Sequence, residues 1–447
     1  MDTKSTGLVR ALGLRDSLAI VIGSMIGTGI FLKTTSMVQE VGAMHWVLLA
    51  WFVAGVLSLL GAFTYSELGA MFPEAGGTYV YLREGYGPLP AFLSGWVSFL
   101  VISPGSIAAY AVASVTFLNG YEWIREHQSF VVIGLIGGFS LLNGLAVSFG
   151  GRVQSFFTGL KIAMVLLIAL AIFYHVPSQE SFLFSKSQSG GVLTWSGFGM
   201  ATLAALWAYD GWDAIARVGG EILRPQRTLP LALIFGILTV FGLYALINVA
   251  YFWALPLSEI QNANSSLYPE ALPVATKAVM SFMGDSGVQI LSFVFLISTL
   301  GAMNGSILTS ARVPYAMAKD QLFIRFLAKL SPHTHVPVRA IWFQSGLAMV
   351  MALSGTFDQL TNYVVFSAWI FYGFTGITLF VFRKKKPDLK RDFKVPGYPL
   401  VPALFVGMSL LLVINTLMES PFESFIGLCF LLSGIPAYFF FKPKIEV

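Results

Sequence analysis

The chain has 447 residues, 56% of them hydrophobic and only 11% charged, with a mean hydropathy of +0.75. Soluble domains carry roughly 25% charged residues, so a water-soluble fold is excluded and the bilayer must solvate most of the chain. The net charge of +5 does not mark a nucleic-acid binder, because the basic residues sit in short loops between apolar runs.

A bilayer admits only helices or closed barrels, since every backbone N–H and C=O there needs an internal partner. The apolar runs are continuous over about 20 residues and lack the in-out alternation of barrel strands. The chain therefore reads as an all-α polytopic membrane protein. Its spans fall near 15–39, 46–71, 89–118, 129–148, 152–174 and 196–219, then 230–254, 286–318, 338–356, 359–382, 398–418 and 422–441. That is about twelve, each close to the length a bilayer requires. The basic-then-apolar start resembles a signal peptide, but Leu18–Leu32 is long and no A-x-A-like cleavage site follows, so it reads as a retained helix.

An even number of spans puts both termini on one side. Loops on that side hold Lys4, Arg10, Arg83, Arg152, Arg224, Arg227, Lys319, Arg325, Lys329, Arg339 and Arg383–Lys386, whereas Lys33, Arg125, Lys186 and Lys277 fall opposite. The positive-inside rule then makes residues 1–14 and 442–447 cytoplasmic tails, in the cell's plasma or inner membrane. On this reading the basic stretch within 383–397 is an orienting, solvated loop and not a binding patch.

In chain order, the first informative element is Gly23-Ser-Met-Ile-Gly-Thr-Gly-Ile-Phe31, mid-span. Each glycine costs a helix about 1 kcal/mol relative to alanine. Two readings stand: Gly23 and Gly27 let another helix approach closely, or the helix unwinds and bares backbone polar groups to a cavity. In the fifth span Lys161 lies about 13 Å from the helix start at Arg152. A snorkelling side chain would cover only part of that depth.

The sixth span holds Trp207-Ala-Tyr-Asp-Gly-Trp-Asp213. A carboxylate in mid-membrane costs at least about 2.5 kcal/mol, which makes it a functional candidate, and Asp210-Gly211 favours non-helical backbone. Interruptions in spans one and six point to an inverted-repeat transporter. Half-helix N-termini would face an anionic group and freed carbonyls a cation, and a zwitterionic α-amino acid supplies both. Asp210 either favours a cationic side chain or serves its own broken helix.

Further on, Pro273–Met283 in the loop Leu255–Gly287 is apolar enough to lie against the protein, as a lid or as an interfacial helix. Cys429 is the only cysteine, so neither a disulfide framework nor a cysteine metal site is expected. No H-E-x-x-H or G-x-S-x-G motif appears, and His333 with His335 reads as solvated histidines. No enzyme activity, metal or cofactor is expected. Nor does any repeat resemble a channel filter.

These motifs together resemble the amino acid–polyamine–organocation (APC) superfamily. Gly23–Phe31 resembles its first helix, Gly61–Gly69 with Phe72–Tyr81 its second helix and following loop, and Gln154–Lys161 its fifth. Trp207–Asp213 with Glu221–Pro230 is similar to its sixth, and Asn304–Arg312 with Tyr315–Asp320 to its eighth. Within it the chain looks most like bacterial L-type amino acid exchangers, relatives of heteromeric transporter light chains. It departs in three places. Asn119–Gln128 lacks the cysteine that would bond a heavy chain, Gly220-Glu221 replaces a glutamate pair, and Ser367-Ala-Trp369 alters the tenth helix.

The resemblance implies a leucine-transporter-type fold with two five-helix inverted repeats, 15–174 and 196–382, followed by helices within 398–441. It implies that substrate carboxylate rests on the N–H groups of Gly27, Thr28 and Gly29, and substrate ammonium on carbonyls near Ile22, Met25 and Trp207. It makes Trp207 an outer gate, against the plainer reading of one more buried aromatic, and puts Asp210 beside the site. Lys161 would replace a sodium ion between helices. The expected function is sodium-independent exchange of neutral L-amino acids by alternating access, with no disulfide-linked heavy chain. The alternatives are proton-coupled symport and transport of cationic amino acids or polyamines.

Overall fold

The computed structural model describes residues 7–116, 118, 122–177, 194–268, 270–354 and 357–443. Lys4, Lys186 and positions 119–121 of the loop after the third span lie outside them. Among the described residues regular structure is helical, with isolated bridges pairing Leu12 with Ile222 and Ala75 with Val218.

The first span is two helices, α1 (Leu14–Met25) and α2 (Gly29–Val41), separated at Ile26–Thr28. Of the two readings of the glycine motif, the break is the one the structure adopts. Gly42, at φ 64°, ends α2 in the left-handed conformation that glycine takes most easily. There follow α3 (Met44–Met71), the short α4 (Thr78–Tyr86), and α5 (Pro88–Val97), which runs through a π turn at Ser98–Ile102 into α6 (Ser103–Thr116). A short α7 (Glu122–Glu126) precedes α8 (Gln128–Asn143), and the long α9 (Val147–His175) closes the first half.

The sixth span is also broken, into α10 (Trp195–Tyr209) and the single turn α11 (Ala214–Arg217). Gly211 sits at φ 88° in the gap, and an added Cβ there would come within 2.9 Å of the Ser24 side chain in the last turn of α1, beside the other break. The two interruptions therefore touch. The chain continues through α12 (Pro225–Ala254), α13 (Leu257–Gln261), α14 (Val274–Met283), α15 (Asp285–Ser310) and α16 (Arg312–Lys319). It ends with α17 (Val338–Ser354), α18 (Phe357–Lys385), α19 (Leu400–Glu419) and α20 (Pro421–Phe441).

Among the described residues nine helical stretches are long and apolar enough to cross a membrane. The interrupted sixth span and the shorter apolar helices Gln128–Asn143 and Val338–Leu353 bring the apolar segments close to the expected number. The first span is buried on nearly all sides, whereas α19 and α20 present most of their side chains outward. Apolar side chains facing lipid are normal in such a solvent. Helix α14 lies on the protein, burying Val274, Ala275 and Ala278.

The face that carries the N-terminus is tied shut. Ala11 and Leu12 donate backbone N–H to the Glu221 carbonyl at 2.8 and 2.9 Å, and Leu223 N–H returns to Leu12. Arg10 donates to the Ile222 carbonyl at 2.8 Å. Beneath this strap the Arg312 guanidinium meets both oxygens of Glu221 at 2.9 Å, and both side chains are almost wholly inaccessible. Nearby, Arg83 holds Asp320 at 2.7 Å and Glu74 at 2.9 Å. Burial lowers the pKa of Arg83, but its hydrogen bonds to the Asp320 and Glu74 carboxylates outweigh that and hold it above the ordinary value.

The 383–397 loop differs from the expected solvated connector. Glu67, fully buried in α3, accepts from Arg383 at 2.8 Å and from the Val395 N–H at 2.7 Å, with Arg391 at 3.3 Å. Arg391 is 6% exposed at the side chain. A carboxylate inside an apolar helix has to be paired or discharged, and the loop supplies its charge partners. Part of the basic run is therefore a clamp.

Candidate functional site

The site is built from the two breaks. At the end of α1 the Ile22 carbonyl accepts from Ile26 N–H at 2.9 Å, completing the last turn. The carbonyls that follow lack helical partners, and side chains from other helices reach them. Lys161 on α9 donates to the Gly23 carbonyl at 2.8 Å and to Ile26 at 2.6 Å. Ser298 on α15 donates to the carbonyls of Ile26, at 3.2 Å, and Gly27, at 3.1 Å. Lys161 is 1% exposed, so the snorkelling reading is overturned. Its ammonium turns inward because bare carbonyls there are a better solvent than lipid.

Tyr244 on α12 joins the two breaks directly. Its hydroxyl is 2.8 Å from both the Met25 and the Ala208 carbonyls. A tyrosine hydroxyl has one proton, so it donates to one carbonyl at a time and leaves the other open to a second donor. Trp51 and Tyr209 pack their rings against Tyr244 with centroids 5.4 and 5.1 Å apart, which fixes its direction.

Across the gap Trp207 Nε1 donates to Thr28 Oγ1 at 3.3 Å. The Trp207 ring also packs against Tyr110 of α6, with centroids 5.8 Å apart. Gly29 opens α2 beneath this ring, where an added Cβ would lie 2.6 Å from both Cα and Cβ of Ala208. No side chain fits between the two broken helices at that point. Only glycine lets the backbones come that close.

Gly23 is constrained by a different neighbour, since a Cβ there would meet Thr158 Oγ1 at 2.1 Å and Gln154 Nε2 at 2.3 Å. Gln154 continues a buried amide chain through Asn304 to Asn143, each step 2.8 to 2.9 Å.

The sequence-derived candidates are thus largely brought together. Met25, Gly27, Thr28, Gly29 and Trp207 lie at or beside the two breaks, with Lys161 behind the first. The Ile22 carbonyl is different, because the turn of α1 already uses it. Asp210 is half-buried at the end of α10, within electrostatic reach of Asp213 and Arg217. Sequence reasoning missed Tyr244, Ser298 and Tyr110. Each is a hydroxyl in an apolar helix, and such groups need partners, but their sequence neighbourhoods do not say which partner. Among the described residues no cluster of three His, Cys, Asp or Glu could hold a metal.

Two broken helices joined across their breaks in a polytopic helical protein are the mark of a membrane transporter. Residues 12–435 match the family described as amino acid permease, and the chain belongs to that family of transporters. It is similar to the human b(0,+)-type amino acid transporter 1, at 32% identity over 98% of this chain and 89% of that protein. It is equally similar to the serine/threonine exchanger SteT of Bacillus subtilis, at 32% identity over 99% of both. The human cystine/glutamate transporter is 32% identical over 97% of this chain and 85% of that protein.

Proposed function

We propose that this protein exchanges neutral L-amino acids across the plasma or inner membrane, independently of sodium, by alternating access. The observation that carries this reading is Lys161 on the Gly23 and Ile26 carbonyls. On this reading the Lys161 side chain stands in for the ion that a sodium-coupled carrier of this fold would hold between the first, fifth and eighth spans. Substrate carboxylate is received by the N–H groups of Gly27, Thr28 and Gly29, where α2 begins and its dipole is positive. Substrate ammonium takes whichever of the Met25 and Ala208 carbonyls Tyr244 leaves open, with Trp207 closing over the top. Two relatives carry "exchanger" or paired substrates in their names, which favours exchange over net uptake. The five-plus-five inverted repeat, cytoplasmic termini and independence of a disulfide-linked heavy chain belong to the same reading. Cys429, the only cysteine, sits in the last helix.

The test is counterflow in proteoliposomes with labelled L-serine, L-threonine, L-leucine, L-arginine and L-cystine, in sodium and in choline buffer. Equal uptake in both buffers, dependent on amino acid inside, is the expected result. A tenfold sodium requirement or no trans-stimulation refutes it. A second reading, cationic substrates, is favoured by Asp210 beside the Trp207 gate. Faster counterflow of L-arginine than of L-serine would establish it.

A further inference from the structure

A second charged group lies inside the membrane-embedded part of the chain, on the N-terminal side of the site. Asp213 and Arg217 span one turn at α11. The Arg217 Nη2 donates to both Asp213 oxygens at 3.1 and 3.2 Å, and the Tyr372 hydroxyl donates to Oδ1 at 2.9 Å. The side chains are 3% and 11% exposed. Both line a cavity with Thr78, Ser94, Ser98 and Tyr372, and Thr28 is not part of that lining.

That cavity measures about 30 Å³, enough for water alone. Its wall includes Thr78 and Tyr79 of α4 and Gly76 just before it. The Gly76 N–H donates to the Arg217 carbonyl at 2.9 Å, and Tyr79 donates to Asp320 at 2.8 Å. An opening of this face that draws Gly76 and Tyr79 off α11 widens this cavity, because both residues line it. Any solute travelling between that face and Thr28 then passes Asp213 and Arg217.

Both groups keep unused capacity. Arg217 has five N–H donors, and among the described residues Nε and Nη1 have no hydrogen-bond partner. Asp213 has about four lone-pair sites and uses three contacts. The pair therefore offers N–H donors for a carboxylate beside a carboxylate oxygen for an ammonium. A buried pair needed only for structure gains little over apolar side chains of similar size, and ionisable groups at this depth mark substrate paths.

We propose that Asp213 and Arg217 form a second binding site for the α-amino acid zwitterion, a loading site on the path from the N-terminal face, with Arg217 taking the carboxylate and Asp213 the ammonium. This rests on the transport reading above and adds a site to it. Charge-assisted contacts to both ends of the zwitterion give the site affinity, and the α4 contacts make it accessible only when that face opens.

The experiment measures KM separately at each face in orientation-sorted proteoliposomes, using whichever of L-serine, L-threonine, L-leucine, L-arginine and L-cystine the wild type exchanges. Arg217→Gln and Asp213→Asn should each raise the ratio of N-terminal-face KM to opposite-face KM about tenfold. A pair acting only as a lock on this face shifts the balance toward the state open there, which lowers the N-terminal-face KM, raises the opposite one and so lowers the ratio. A ratio within twofold of wild type, or lowered, in both variants overturns the site. Should those variants not be recovered folded, Arg217→Lys keeps the charge and loses the fork. It should raise the ratio about threefold, and an unchanged ratio overturns the site equally. Wild-type protein that exchanges none of the five amino acids named above refutes the transport reading, and the loading site with it.

Discussion

Arg312 and Glu221 meet through two 2.9 Å hydrogen bonds in a region that neither water nor lipid reaches. The pair joins the loop after the sixth span to the junction of α15 and α16, directly under the N-terminal strap. Removing one partner of such a pair strands the other charge, at a typical cost of about 3–5 kcal/mol. Glu221→Gln and Arg312→Met should each lower the unfolding temperature in detergent sharply, and the double variant Glu221→Gln/Arg312→Met should recover most of the loss. Loss that is additive in the double variant would show that the two residues act separately.

Lys161→Ala should cost transport far more than folding. It takes the Lys161 donor from the Gly23 carbonyl and leaves the Ile26 carbonyl to Ser298, and the first break loses its ammonium tether to α9. Exchange should fall at least tenfold while the protein stays monodisperse in detergent. Wild-type exchange by this variant would remove the lysine from the mechanism.

Tyr244→Phe removes the single proton shared by the Met25 and Ala208 carbonyls while keeping the ring between Trp51 and Tyr209. One lost hydrogen bond is worth about 1 kcal/mol of stability, so the unfolding temperature should fall by only a few degrees. Exchange should fall much further, because the two breaks lose their common tether. Equal proportional losses would mean that Tyr244 serves folding alone.

Thr28→Val is nearly isosteric and deletes the acceptor of the Trp207 indole along with the proposed donor for substrate. Apparent affinity should weaken by roughly 0.5–1.5 kcal/mol, about 2- to 12-fold. An unchanged affinity would leave carboxylate binding to backbone N–H groups only.

Glu67→Gln should release the 383–397 loop from α3. Trypsin should then cut after Lys390 and Arg391 at least fivefold faster than in wild type, with exchange measured in parallel. Unchanged cleavage would show that the Phe382, Pro387 and Leu389 carbonyls, which Arg391 also engages, hold the loop by themselves.

Much of this was readable in the residues. Membrane spans follow from composition and run length, and both breaks announce themselves where glycine or aspartate sits in an apolar helix. Lys161 was visible by its depth. Glu67 escaped because a lone carboxylate near the end of a span looks solvated, and its partners are more than 300 residues away in sequence. Tyr244 escaped for a related reason: in a chain with 16 tyrosines, only the fold shows which hydroxyl reaches a bare carbonyl.

Gly27 and Gly29 are two residues apart, yet they differ in how they could ever change. The space beside Gly27 is limited by the edge of the Tyr110 ring at 2.9 Å, a side chain that could shrink or turn. Beside Gly29 one obstructing atom is the Ala208 Cα itself, which every amino acid possesses. Alanine at position 27 is therefore open to rescue by a second-site change at 110. Alanine at position 29 would have no suppressor at 208, not even glycine, and in a saturating library it would stay blank in every genetic background that keeps these two backbones in contact.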